Sequence, residues 1–350
     1  MYVASAGSIH LPTVRVAWVD YAKGICIVMV VMMHATLDYG AAVGSEGWLH
    51  HVVAFARPFR MPDFFLLAGL FLSASINSPL RQYVDRKFVH FVYFYLIWLL
   101  IQLGVTESGL LINNPVEFVS MFLFDWVEPV NTLWFVHMLA IFYMTTRLLR
   151  KAPLWLVFML AAGLHVAFHL GWINTGWSVA DRFFDRYIYF FAGYAAAPWI
   201  FAFARQLPSW PRATVVGLIL WALINVGFTA SGNDGIAGIS LLLGFMGAAA
   251  IVAAGSLLAG HNWAEGLRYC GANSIVIYLS FFLPMKIALK LLADSGVIPD
   301  VGWASLLITG VAVVVPLLIY GLIKDTWLGF LYKRPAAFGL AGSQVQTARL

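Results

Sequence analysis

The sequence predicts an all-α fold, a polytopic membrane bundle of about ten transmembrane helices with both termini in the cytoplasm. Three observations lead to this prediction. Hydrophobic residues make up 62% of the 350 residues. Charged residues make up only 11%, whereas soluble globular domains contain about 25%. The apolar residues also occur in runs of about 20, the length that an α-helix needs to cross a bilayer.

Helix-breaking segments separate these runs. Proline, glycine and short polar clusters lie at or between their ends, for example at Pro153 and in the segment 231–235. The segment 115–126 is apolar but too short to span, so we expect an interfacial or re-entrant piece there. The expected spans lie near 20–38, 57–77, 87–105, 131–149, 153–172, 184–204, 212–230, 236–259, 272–293 and 303–323.

One transmembrane domain, 15–330, accounts for these runs, with an N-terminal tail at 1–14 and a cytoplasmic C-terminal tail at 331–350. The first 14 residues contain no lysine, no arginine and no long apolar core, so we expect the first helix to direct insertion instead of a cleaved signal. The two cysteines, Cys26 and Cys270, suggest neither a disulfide framework nor a zinc site.

The basic residues predict the orientation. With a cytoplasmic N-terminus, 15 lysines and arginines fall in inside segments and 6 in outside segments, which follows the positive-inside rule. They are spread over short loops and form no single stripe, so we expect contact with the lipid bilayer and none with nucleic acid. This orientation puts Lys23 at the cytoplasmic end of the first helix and His34 in its outer half.

His34 is the leading candidate for chemistry. Ionisable residues inside a membrane are costly and usually functional, and histidine can take and return a proton near neutral pH. Lys23 lies roughly 16 Å away along the helix, too far for contact. Asp38 shares a helix face with His34 and could orient its ring, as in an acid–base pair. Alternatively, His34 bonds a neighbouring helix and Asp38 is a solvated end residue.

Arg60 and Asp63 stand at the start of the second span, on the same predicted side as His34. They could pair with each other at i,i+3 spacing. Alternatively, Arg60 binds an anionic or hydroxyl-rich acceptor, or stabilises a developing oxyanion.

A second basic group, Arg86, Lys87 and His90, runs from a cytoplasmic loop into the third span, at the membrane level of Lys23. These residues either bind phosphates or simply follow the positive-inside rule. His165 and His169 form an i,i+4 pair that could bind a metal. Because no acidic or cysteine partner is evident, packing or hydrogen bonding is favoured there.

Six segments form an ordered set of motifs along the chain: Asp20–x–x–Lys23–Gly24–Ile25 with His34, Met61–Pro62–x–Phe64–Phe65–x–x–x–Gly69, Arg86–Lys87, Leu133–Trp134–Phe135, Phe190–Phe191–x–Gly193–Tyr194 and Gly271–x–Asn273–Ser274 through Tyr278–Leu279. Taken in this order, they resemble the membrane acyltransferase-3 family, the carbohydrate O-acetyltransferases of bacterial envelopes. The match covers roughly residues 15–330. The chain has Lys23 where the family usually has arginine, Arg60 where it often has histidine, and Phe281 near a missing histidine.

The resemblance implies transfer of an acetyl group from cytosolic acetyl-CoA to a hydroxyl of an envelope or exported carbohydrate, in a bacterial inner membrane and without a metal. The carbohydrate acceptor could be a polysaccharide, a lipopolysaccharide or a lipid-linked sugar. His34 would be the general base, Asp38 would orient it and Arg60 would lie near the acceptor or the oxyanion. The donor's phosphates would meet the basic residues at the cytoplasmic face: Lys23, Arg86, Lys87 and His90.

Two other classes of function stay open. A transporter or flippase of a lipid-linked sugar also fits ten helices with buried charges, although the sequence shows no inverted repeat. A non-catalytic scaffold of a polysaccharide assembly complex would tolerate replacement of His34 and Arg60. The sequence leaves open the acceptor, the choice between acetyl, succinyl and other acyl donors, and whether the chain forms a homo-oligomer.

Overall fold

The computed structural model describes residues 16–129, 132–261 and 263–340. Within those ranges the chain is helical and contains no strand. The expected tail at 1–14 and the last ten residues, 341–350, lie outside the described residues. The all-α prediction is therefore confirmed for the described part of the chain.

Seventeen α-helices are found in the described ranges, together with a π-helical segment, Asp85–Val89, and short 3₁₀ turns. The α-helices are α1 Ala17–Val43, α2 Trp48–Ala56, α3 Arg60–Gly69, α4 Leu80–Val84, α5 His90–Thr106, α6 Ser108–Asn113, α7 Pro115–Val127, α8 Trp134–Leu148, α9 Leu154–His169, α10 Ser178–Ala195, α11 Ala197–Gln206, α12 Pro211–Ala230, α13 Ile239–His261, α14 Glu265–Ala272, α15 Ser274–Ser280, α16 Phe282–Ser295 and α17 Val301–Ile323.

Five helical segments among the described residues are long and apolar enough to cross a membrane, or up to seven if each of two bent pairs counts as one span. The bent pairs are α10 with α11, at 71°, and α15 with α16, at 54°. The expected spans at 57–77, 131–149 and 153–172 contain helices of only 10, 15 and 16 residues. The count of ten and the sides of the termini therefore stay predictions.

The surface agrees with a membrane setting. Only 11% of the most apolar stretch of α12 is buried inside the protein, and for α17 the figure is 28%. Their exposed side chains are leucine, isoleucine, valine and tryptophan, which water would not solvate favourably. These faces are the ones that contact lipid. The expected interfacial piece at 115–126 forms helix α7, which begins with a side-chain cap from Asn114.

Helix α1 is central to the bundle and packs against α3, α13, α14 and α17. A second close contact joins α3 to α10. A Cβ atom on Gly69 would lie 2.2 Å from the carbonyl oxygen of Phe190, and one on Gly193 would lie 2.0 Å from that of Leu66. Only glycine allows the two backbones to come this close. The resemblance motifs contain both glycines, so they encode a helix contact.

The segments between Leu80 and Thr106 form one continuous span, with the π-helical turn between α4 and α5. Chain that follows α17 packs on this span. Tyr93 and Trp98 each donate a 3.0 Å hydrogen bond to a carbonyl of residues 330–331. Arg334 forms a buried 2.6 Å ion pair with Asp85. The first ten residues of the expected C-terminal tail are thus attached to the helical domain.

Candidate active site

Helix α1 carries both Lys23 and His34. It is unbroken from Ala17 to Val43, so the two residues are separated by about 16 Å of helix rise, as the sequence predicted. Near Lys23 the helix touches α14 so closely that a Cβ on Gly271 would lie 1.7 Å from the Asp20 carbonyl oxygen. This contact fixes the N-terminal half of α1 in place. His34 lies further along, where α1 is joined by α15 and α16.

His34 is half-buried, and its ring packs on the fully buried ring of Phe281, with the centroids 5.5 Å apart. Three charged side chains come close enough to interact with it electrostatically: Asp38, Arg60 and Lys286. The structure therefore brings all three predicted catalytic residues, His34, Asp38 and Arg60, into one neighbourhood. Phe281 stands where the family resemblance leads one to look for a second histidine, and it gives His34 an apolar wall.

Asp38 has a different partner from the one expected. Its Oδ2 accepts a 2.8 Å hydrogen bond from Lys286 Nζ, and both side chains are partly exposed. Among the described residues, no hydrogen bond joins His34 to Asp38. The carboxylate is still close enough to favour the charged imidazolium, but its orienting role stays a prediction.

Arg60 and Asp63 do not form the expected i,i+3 pair. The Nε and Nη1 atoms of Arg60 and both carboxylate oxygens of Asp63 are buried without a hydrogen-bond partner in the described part of the chain. Asp63 is 1% exposed. A second arginine, Arg186 of α10, is close enough to Arg60 for the two charges to repel. Such unsatisfied buried donors are costly in a resting protein, and they are free to bind an anion or a developing oxyanion.

The inner basic group sits on the π-helical turn. Arg86 is exposed, while Lys87 is half-buried with its Nζ 4.5 Å from the centroid of the Tyr143 ring. Lys23 and Arg86 are both close enough to Lys87 to repel it. Three clustered positive charges favour an anionic ligand, and π-helical turns often occur at functional sites. Lys23, Arg86 and Lys87 could therefore hold an anionic group such as a phosphate.

His90 fits this group less well. Its ring packs edge-on against Phe91 and Phe94. Its charged neighbours are Lys87 and the Arg334–Asp85 ion pair. His90 thus lies beside the C-terminal segment that packs on this span, and part of its ring is covered by aromatic side chains. It is the weakest of the predicted donor contacts.

The separate sequence motifs meet in one aromatic core next to His34. Phe65 packs on Phe135 at 4.6 Å, and Phe135 packs on Tyr278 at 5.5 Å. The Tyr278 hydroxyl accepts a 3.1 Å bond from the Phe135 backbone N–H and donates to the Thr132 carbonyl. Tyr278 also contacts Phe281, which packs on His34. These motif residues hold α3, α8 and α15 around the candidate base.

Sequence reasoning missed Lys286 and Arg186 as charged neighbours of His34 and Arg60. Both are basic residues that the charge count puts on the outer side. That placement, together with the predicted depth of His34 and Arg60, was the available signal. It could not show which pairs touch, because Lys286 and Asp38 are 248 residues apart.

Residues 16–321 match the acyltransferase domain family, which covers most of the chain. The chain belongs to the acyltransferase-3 family. It is also similar to the inner membrane protein YcfT of Escherichia coli strain K12, at 23% identity over 312 residues, which covers 79% of this chain and 82% of the relative. No solved structure matches the chain significantly. Family membership and the apolar spans together indicate a membrane acyltransferase.

Proposed function

We propose that this protein moves an acetyl group from cytosolic acetyl-CoA to a hydroxyl of an envelope or exported carbohydrate, with His34 as the general base. The observation that carries the proposal is the outer cluster. A half-buried histidine lies beside Arg60, whose Nε and Nη1 are buried without a partner among the described residues. A base next to unoccupied cationic donors is what acyl transfer to a hydroxyl requires.

The chemistry assigns one role to each residue. A nitrogen of His34 takes the proton of the acceptor hydroxyl as that oxygen attacks the thioester carbon. Arg60 donates hydrogen bonds to the oxyanion of the tetrahedral intermediate. The carbon–sulfur bond then breaks, the CoA thiolate leaves, and the proton held by His34 is returned to it. Asp38 stabilises the imidazolium that exists between these steps.

The donor would bind from the opposite end of α1. Its phosphates would meet Lys23, Arg86 and Lys87, with His90 at the edge of that group, and its long uncharged arm would extend between helices toward His34. The separation of about 16 Å along α1 suits this division between a charged cytoplasmic site and an outer reactive site. In this proposal the protein lies in a bacterial inner membrane with the donor site facing the cytoplasm.

Inverted inner-membrane vesicles supplied with acetyl-labelled acetyl-CoA test the proposal. Label that appears in extractable envelope carbohydrate, and that is absent from vesicles lacking the protein, supports acyl transfer. Carbohydrate that crosses the membrane without acquiring label would instead indicate a transporter. Label in neither lipid-linked nor polymeric carbohydrate would contradict the proposed acceptor class.

A further inference from the structure

Two histidines and an aspartate meet at the end of α9, apart from the candidate active site. His165 and His169 lie one turn apart on α9, and Asp185 faces them from α10. Their ligand atoms all lie within 4.8 Å of one another. His169 Nε2 is 3.0 Å and His165 Nδ1 is 3.4 Å from Asp185 Oδ1. The acidic partner that the sequence did not reveal is therefore supplied by the fold.

The hydrogen bonds of His169 cannot all be satisfied by a neutral ring. Its Nδ1 lies 3.1 Å from the carbonyl oxygen of Gly235, and its Nε2 lies 3.0 Å from Asp185 Oδ1. Both partners are acceptors, whereas a neutral imidazole has one donor and one lone pair. With Nδ1 donating to the carbonyl, the Nε2 lone pair faces a carboxylate. The same Nε2 also lies 3.2 Å from Ser240 Oγ, so its lone pair points into a cluster of oxygen atoms.

His165 is held in a matching way. Its Nδ1 is 2.7 Å from the Asp185 backbone carbonyl oxygen, to which it can donate, and its Nε2 then carries the lone pair. Ser240 Oγ lies 3.4 Å from this Nε2 and 3.2 Å from the Nε2 of His169. The two histidines thus turn their Nε2 atoms toward the same hydroxyl.

From this geometry we infer that His165, His169 and Asp185 bind a divalent transition metal, with Zn²⁺ as the best match. Metal-bound histidines typically donate their other N–H to a carbonyl or carboxylate, as both do here. Zn²⁺ favours four ligands at about 2.0–2.1 Å, which sets the ligand atoms about 3.3 Å apart. The ligand atoms now lie within 4.8 Å of one another, so they would move closer together around the ion. The hydroxyl of Ser240 or a water would complete the set.

The rest of the cluster is arranged for such an ion. Asp185 Oδ2 accepts a 2.7 Å bond from Arg186 Nε, which leaves Oδ1 for the metal. The side chain of His169 is 19% exposed, so an ion has a route in. The ion would join α9, α10 and the first turn of α13. It would also steady Arg186, the neighbour of Arg60, so its expected role is structural.

The test uses the full chain purified in detergent, stripped with a chelator and dialysed against Zn²⁺. We expect about one Zn²⁺ per chain and a thermal midpoint that rises with free Zn²⁺. We also expect Co²⁺ to give the visible absorption of a tetrahedral nitrogen–oxygen site, and Zn²⁺ to displace it. His169→Ala and Asp185→Asn should lose the ion, while the matched control His51→Ala, at an exposed position on α2, should keep it.

Wild-type protein that binds no Zn²⁺ and shows no Co²⁺ spectrum would overturn the inference. So would His169→Ala and Asp185→Asn chains that bind as wild type does. The Co²⁺ titration needs only the wild-type chain, so the inference can be rejected even if a variant fails to fold. None of these readouts depends on acyl transfer.

Discussion

Replacing Arg60 by methionine should lower the catalytic activity without lowering the stability of the protein. Two of its donors, Nε and Nη1, are buried without a partner in the described part of the chain. An unsatisfied buried donor costs about 1–3 kcal/mol. Methionine has a similar length and no donors. We therefore expect Arg60→Met either to leave the free energy of unfolding unchanged or to raise it by up to about 2 kcal/mol. The upper figure takes about 1 kcal/mol, the lower end of that range, for each of the two donors.

The same change should abolish most of the activity. Removing one oxyanion donor typically lowers kcat by about 10²–10³, or about 2.7–4 kcal/mol of transition-state stabilisation. Arg60→Met removes all of the donors of this side chain, so a loss at the upper end is expected. The assay is release of free CoA thiol by membrane vesicles, normalised to the amount of folded protein.

Arg57 is the matched control, three residues away. It holds Asp234 with two bonds of 2.7 and 2.6 Å, and the Asp234 side chain is only 6% exposed. Arg57→Met should lower the free energy of unfolding by about 1 kcal/mol, since the arginine itself is largely solvated, and should keep CoA release. Equal destabilisation by both variants, or wild-type CoA release by Arg60→Met, would refute the reasoning.

Three further predictions concern the remaining elements. Lys87→Met and Lys23→Met should each raise KM for acetyl-CoA about tenfold with little change in kcat, since each removes about one charge-assisted phosphate contact; unchanged KM would remove them from the donor site. Asp38→Asn should lower kcat by about tenfold or more. Lys286→Met removes only the ion-pair partner of Asp38 and should not lower kcat. Equal kcat losses in the two variants would mean that the pair is structural. Gly193→Ala should lower the free energy of unfolding by about 1–3 kcal/mol, because the new Cβ would lie 2.0 Å from a carbonyl oxygen of α3. An unchanged denaturation midpoint in detergent would contradict this contact.

The sequence predicted the all-helical class because long apolar runs have few alternatives in a membrane. It was less able to predict the lengths of the helices. The second expected span, 57–77, contains a helix of only ten residues, which ends at Gly69 against α10. At this end α3 closely approaches α10, a helix more than 120 residues further along the chain. A hydropathy pattern cannot predict such a contact.

The site was partly predictable for a related reason. The predicted membrane side and depth put His34 and Arg60 near each other, and in the structure the two side chains are close enough to interact electrostatically. Spacing along one helix left more than one partner open for each of these residues. Asp38 bonds Lys286 instead of His34, and Arg60 does not pair with Asp63. Local spacing shows which side chains share a face, but a residue from a distant helix can outcompete a neighbour four positions away.

The most direct test of the central claim is the effect of His34→Gln on transfer of labelled acetyl from acetyl-CoA to envelope carbohydrate. Glutamine keeps a polar side chain that can hydrogen-bond but cannot take the acceptor proton. The proposed mechanism predicts a loss of at least about 10²-fold in transfer, the usual contribution of a general base, with normal membrane expression and unchanged acetyl-CoA binding. Transfer near the wild-type rate by His34→Gln would contradict it.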